Sequence, residues 1–313
     1  MTGRIVSLIP SATEIVCALG LRESLVGVSH ECDYPKSVTS LPVVCEPKLD
    51  PRLSSAAIDR SVRALVEQAL SVYRVRSEVL SRLAPDLIVT QHQCEVCAVS
   101  EGDVRAACAT LGLGARICSL EPACLGDIAA DFVRVAAAAG VSERGSALVA
   151  EFHARLDRVA ERARGARQPR LALVEWLDPP MIAGGWMPEL ARVAGAEPVI
   201  VDEPRRFRTV DYAAIDAAEP EVIVVMPCGF DVTRTLADLT RDSAGAALFE
   251  TRAARAGRLF VLDGNAYFNR PGPRIAESAE LLAAVVHPER FEWAAPAAVA
   301  RFDGSVFRRG GAK

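Results

Sequence analysis

Lysine is nearly missing from this chain: Lys36, Lys48 and Lys313 are its only examples, and arginine carries almost all of the positive charge. Lys and Arg together number 36 against 40 Asp and Glu, a net charge of −4, which gives no electrostatic case for nucleic acid. No apolar run is long enough to cross a bilayer. The opening Met1-Thr2-Gly3-Arg4 leads into an apolar run too short for a secretory leader, with no small-residue cleavage site after it. Together with nine cysteines, that start sets an expectation of reduced thiols and a cytoplasmic location. There is no glycine-rich phosphate loop, no GxSxG and no Ser-His-Asp order, so turnover is not expected. Aromatic residues are only 5% of the chain, which makes their placement informative.

Half of the residues are hydrophobic, and 313 residues are enough for two domains. Ile5–Ile9 reads as a buried strand. Pro10–Leu19 reads as a helix, with Ser11 as N-cap and Glu14 completing a capping box. Leu25–Val28 is the next strand, and the three pieces make one βαβ unit. Residues 36–55 are Pro- and Ser-rich and read as irregular. Helices are expected over 56–72, 76–83 and 101–111, and strands over 87–90 and 115–119. Helix 125–139 precedes a long, charge-rich helix over 142–165 with Leu148, Phe152, Leu156 and Val159 on one stripe. A second βα series follows, with strands at 171–176, 198–201, 221–226 and 258–262. Its helices are expected at 187–194, 210–217, 233–254 and 273–286. The pattern divides into a first α/β lobe over 1–141, a backbone helix over 142–167, a second α/β lobe over 168–293 and a poorly ordered tail over 294–313.

Polar and aromatic residues gather on the loops after these strands, where open α/β sheets bind ligands. Ser29-His30-Glu31-Cys32-Asp33-Tyr34-Pro35 follows the second strand, and Gln91-His92-Gln93-Cys94-Glu95-Val96-Cys97 follows the strand at 87–90. Several ordered segments carry a family likeness. Arg4-Ile5-Val6-Ser7-Leu8-Ile9-Pro10-Ser11-Ala12-Thr13-Glu14 and Gly27-Val28-Ser29-His30-Glu31-Cys32-Asp33-Tyr34-Pro35 come first. Pro85-Asp86-Leu87-Ile88-Val89, Asp178–Gly185, Pro220–Val224 and Asn265–Ile275 follow in order. Over roughly 4–290 the chain resembles the vitamin B12-binding periplasmic proteins of ABC importers, in a branch without a leader and with an insertion at about 44–77.

The resemblance implies two Rossmann-like α/β lobes joined by one long backbone helix, a class III periplasmic-binding-protein-like fold. It implies non-catalytic binding of cobalamin or a related corrinoid between the lobes, in uptake or salvage. An ABC permease or a cobalamin-handling enzyme is the implied protein partner, with no nucleic acid and no membrane span. By position, Pro10, Tyr34, the 91–97 loop, the 181–186 loop, Phe207 and the 267–270 loop are expected to line the site.

Read as chemistry, Tyr34, Trp176, Trp186, Tyr267 and Phe268 suit the edges of a flat macrocycle, and Gln91, Gln93, Asn265 and Asn269 suit amide arms. Glu31 and Arg270 stand among them. His30 is a candidate cobalt ligand or an ordinary loop histidine. Cys94 and Cys97 form a CxxC open to three readings: a redox pair, a metal site with His30, His92 or Cys32, or thiols presented to the ligand. Cys17, Cys108, Cys118, Cys124 and Cys228 read as packing residues. The alternatives to a corrinoid are a metal- or redox-active protein built on Cys32, Cys94 and Cys97, and a binder of haem or a ferric siderophore.

Overall fold

The structure, a computed structural model, describes residues 3–68, 71–91, 99–201, 207–241, 244–292, 295–304 and 306–310. It divides into two compact units. The first comprises 1–53, 57–122 and 126–152; the second comprises 54–56, 123–125 and 153–313.

In the first unit, β1 (Ile5–Ser7), β2 (Leu25–Ser29), β3 (Val43–Pro47), β4 (Tyr73–Val75), β5 (Leu87–Gln91) and β6 (Arg116–Leu120) form one sheet in the order β4-β3-β2-β1-β5-β6. All neighbours are parallel except the antiparallel β3–β4 pair. β1 and β5 are buried along their whole length, as continuous apolar runs in a parallel sheet covered on both faces must be. The helices are α1 (Pro10–Ala18), α2 (Ser55–Glu67), α3 (Ser77–Leu83), α4 (Glu101–Leu111), α5 (Leu125–Ala138) and the first half of α6 (Ser142–Ala163). Val6, Leu8, Val44, Leu80, Leu83, Ile88 and Val104 share one core cluster. Phe132 of α5 meets Phe152 of α6 edge to face, 5.3 Å between centroids.

Two expectations change here. The stretch read as irregular contains β3, and β4 follows α2. The start of α1 also differs: Ile9 is the N-cap and Pro10 occupies the first turn, so Ser11 lies inside the helix and caps nothing. Proline's fixed φ and missing N–H favour that position over the serine cap.

Asp131 of α5 is buried (1% exposed), and its Oδ2 has no partner among the described residues. Burial pushes its carboxyl up to about 7, against the pull of Arg134. Between about pH 4 and 7 the folded state therefore holds a proton that the unfolded state has lost, and stability falls as pH rises through that window. Asp131→Asn should remove a slope of up to about 1.4 kcal/mol per pH unit. Urea unfolding at pH 5 and pH 7.5 reads it; an unchanged slope would remove Asp131 as its origin.

In the second unit, β7 (Arg170–Leu177), β8 (Pro180–Ile182), β9 (Glu197–Pro198), β10 (Arg208–Thr209), β11 (Val222–Val225), β12 (Leu259–Leu262), β13 (Val299–Phe302) and β14 (Phe307–Arg309) form a mixed sheet. The order is β10-β8-β7-β11-β12-β13-β14, with β9 on the first residues of β7. β7, β11 and β12 are parallel, and β8, β10, β13 and β14 run antiparallel to their neighbours. The residues expected as a disordered tail thus supply two strands, held by Phe302 and Phe307 against Phe249. Helices α7 (Met187–Val193), α8 (Tyr212–Ala217), α9 (Val232–Arg241), α10 (Arg252–Arg255) and α11 (Ile275–Val286) pack around the sheet. The single helix expected over 233–254 is three pieces, α9, a 3-10 segment at Gly245–Glu250 and α10. The second half of α6 belongs to this unit: Arg155 pairs with Glu280 at 3.0 Å and Glu277 at 3.5 Å on α11. Among the described residues, no helix is long and apolar enough to cross a membrane.

Candidate functional site

The carboxyl ends of the parallel strands carry the candidate groups, unit by unit. In the first unit, Pro10 is buried at the head of α1. His30 and Glu31 follow β2, with His30 Nε2 3.8 Å from Glu31 Oε1 and Nδ1 3.4 Å from Ser29 Oγ. The His30 ring lies 5.6 Å from the Tyr73 ring. Burial lowers its pKa, opposed by a hydrogen bond to the Cys45 backbone and by Glu46, so the imidazole is neutral near pH 7. Cys32 Sγ is buried 3.0 Å from Thr13 Oγ1, which also donates to Ser7 Oγ at 2.9 Å. Tyr34 is 45% exposed and Gln91 is buried at the end of β5.

Of the expected metal cluster His30, Cys32, Cys94 and Cys97, only His30 and Cys32 fall within the described residues. Among the described residues, no three His, Cys, Asp or Glu side chains come together as a metal site. Cys32 is turned to Thr13, and Cys94 and Cys97, with His92 and Gln93, lie outside the described residues. Cys17, Cys45 and Cys118 are raised to about 11, chiefly by burial, so at neutral pH they are thiols rather than reactive thiolates. Cys228, expected as a packing residue, is exposed on the loop after β11.

In the second unit the frame is a single π-turn, Gly264–Phe268, after β12. Asp263 Oδ1 accepts from Ala266 N at 2.8 Å, and Asn269 N returns to Gly264 O at 3.3 Å. Asn269 donates its side-chain amide to Met226 O at 3.0 Å and Gly264 O at 3.1 Å. The amide nitrogen thus holds the turn together. Phe268, expected to line the site, is 0% exposed, its ring enclosed in the core. Trp186, the N-cap of α7, is buried and donates from Nε1 to Phe268 O at 3.1 Å, so its indole N–H is also structural. Trp176 packs edge to face on Phe230 at 5.3 Å.

What stays presented is Tyr267 and Asn265, both half-buried, with Arg270 donating to Asn265 Oδ1 at 2.9 Å. The Arg274 guanidinium stands 5.3 Å from the centre of the Tyr267 ring. Arg274, at the head of α11, is 7% exposed. Phe207 is 41% exposed, and a Cβ on Gly185 would sit 3.6 Å from its ring.

The sequence profile of the periplasmic binding protein family matches residues 5–266. The chain belongs to that family. A curated relative, the uncharacterised ABC transporter substrate-binding lipoprotein YvrC of Bacillus subtilis, is 24% identical over 296 residues, covering 92% of this chain and 81% of the relative. Among solved structures, a periplasmic haem-binding protein from Pseudomonas aeruginosa superposes with a TM-score of 0.73 at 21% identity, over 99% of this chain and 98% of that one. The periplasmic vitamin B12-binding protein BtuF of Vibrio cholerae does so with 0.66 at 21% identity, over 92% and 98%. These likenesses establish the α/β fold that the sequence suggests. The family is one of binding proteins, not enzymes.

The expected cytoplasmic location is overturned by the same findings, since the family is periplasmic and the Bacillus relative is a lipoprotein. The cysteine argument fails for a physical reason. Cys45, Cys108 and Cys118 are buried with their thiols raised by burial, and a buried protonated thiol is inert in any compartment.

Proposed function

We propose that this protein is the substrate-binding component of an ABC transporter, acts outside the cytoplasm, and captures a corrinoid such as cobalamin. The observation that carries the ligand reading is the 264–270 segment, where Tyr267 and Asn265 are presented, with the buried Arg270 behind Asn265, on a turn fixed by Asn269 and Trp186. An aromatic edge beside amide and guanidinium donors suits a flat macrocycle fringed with amides. Tyr34 and Phe207 add exposed aromatic surface on their own loops. Burial lowers the His30 pKa and favours its neutral imidazole, the form that serves as a transition-metal ligand. A haem is the second reading. Arg270 and Arg274, both buried beside Tyr267, suit carboxylates, and the Pseudomonas relative binds haem.

A visible-absorbance titration with hydroxocobalamin and, separately, haemin tests this. Saturable binding of hydroxocobalamin with a shifted corrin band is expected. His30→Ala should keep binding and lose the shift, which would make His30 the cobalt ligand. Saturation by haemin alone selects the second reading, and saturation by neither overturns both.

A further inference from the structure

α1 begins without a side-chain cap. Ile9 supplies none, and Pro10 has no N–H. Thr13 N returns to Ile9 O at 3.2 Å, so the amides facing outward from the helix head are Ser11 N and Ala12 N. Neither has a partner among the described residues. Ser11 Oγ has none either, although Ser11 is only 1% exposed. The Cα–Cβ bond of a helical residue tilts toward the helix amino end, so the Ser11 hydroxyl is directed to the same place as the two amides. Thr13, the nearby side chain able to fold back and fill it, is held by Ser7 Oγ at 2.9 Å and Cys32 Sγ at 3.0 Å.

Buried donors are almost always satisfied, and three orphans at one point mark a missing acceptor. The place is also specific. β1 lies between β2 and β5, where the strand order reverses, and ligands of open α/β sheets bind outside the carboxyl ends at that crevice. The positive end of the α1 dipole favours negative charge there.

We infer that the head of α1, through Ser11 Oγ, Ser11 N and Ala12 N, receives an anionic oxygen of the ligand, from a phosphodiester or a carboxylate. Ser11 then discriminates between ligands that carry this group and those that lack it. The inference rests on the small-molecule binding proposed above. Near-complete burial limits what fits to an oxygen, not a ring face.

Ser11→Ala tests it, using paired ligands. Hydroxocobalamin carries a phosphodiester and cobinamide does not; haemin carries carboxylates and its dimethyl ester does not. Ser11→Ala is expected to weaken the member of the binding pair that carries the anionic group about 10-fold, the scale of one hydrogen bond to a charged group, and to leave the member lacking that group within about 2-fold. The pair affected identifies the source of the oxygen. Without ligand the variant should melt no lower than the parent, since it loses only an orphan hydroxyl. Equal effects on both members of a pair overturn the inference while the binding reading stands. If no ligand of either pair binds, that reading fails and inorganic phosphate becomes the probe. Saturable shifts of the Ser11 and Ala12 amide resonances then support the site, and their absence overturns it.

Discussion

Gly264→Ala should cost about 3 kcal/mol and displace the turn that presents Tyr267. A Cβ at position 264 would stand 2.3 Å from Pro227 O and 2.5 Å from Met226 O. Both contacts are backbone, so no side chain can swing aside. Neither carbonyl can retreat cheaply. Met226 N is bonded to Val174 O at 2.8 Å, Met226 O accepts the Asn269 amide, and Asn265 N reaches Phe230 O at 3.1 Å just beyond. The glycine is there for closeness of approach. Urea unfolding measures the loss; a change under about 0.5 kcal/mol, the scale of an ordinary surface substitution, would mean the loops can separate.

Phe268→Ala is expected to lower stability by about 3–5 kcal/mol, the range for truncating a fully buried phenylalanine. Its ring is enclosed, and the carbonyl beside it anchors the Trp186 indole, so the cavity would also loosen the α7 head. The opposite pattern, weaker ligand binding with an unchanged unfolding midpoint, would return Phe268 to the ligand site where its sequence position alone suggested it.

That reversal shows where the sequence stops being legible. Continuous apolar runs such as Leu87–Val89 and Val222–Val225 declare buried parallel strands, because they are short, rich in β-branched residues and closely preceded by a proline. β3 is hidden because Val43-Val44-Cys45 is short and runs into Glu46 and Pro47 within a Pro- and Ser-rich stretch. The α1 cap is misread because two local rules compete, and the proline prevails. Within Asn265–Arg270 the residue types announce a site, but a π-turn sets which side chains face inward, and no simple period encodes it. So adjacent Tyr267 and Phe268, equivalent by composition, end up in opposite roles. Ser11 was legible only as a cap; its lack of a partner is a property of the folded neighbourhood.

β13 and β14 bear on how the sheet of the second unit assembles. β13 covers one edge of β12, pairing Val299 with Leu262, and β14 closes over β13. The sheet of the second unit is therefore incomplete until residues 299–309 are available. Pairing of Val299 with Leu262 joins positions well separated in sequence, and long-range pairing is the slow step in sheet assembly, so the edge made by β13 and β14 is expected to close after the parallel strands β7, β11 and β12 have paired.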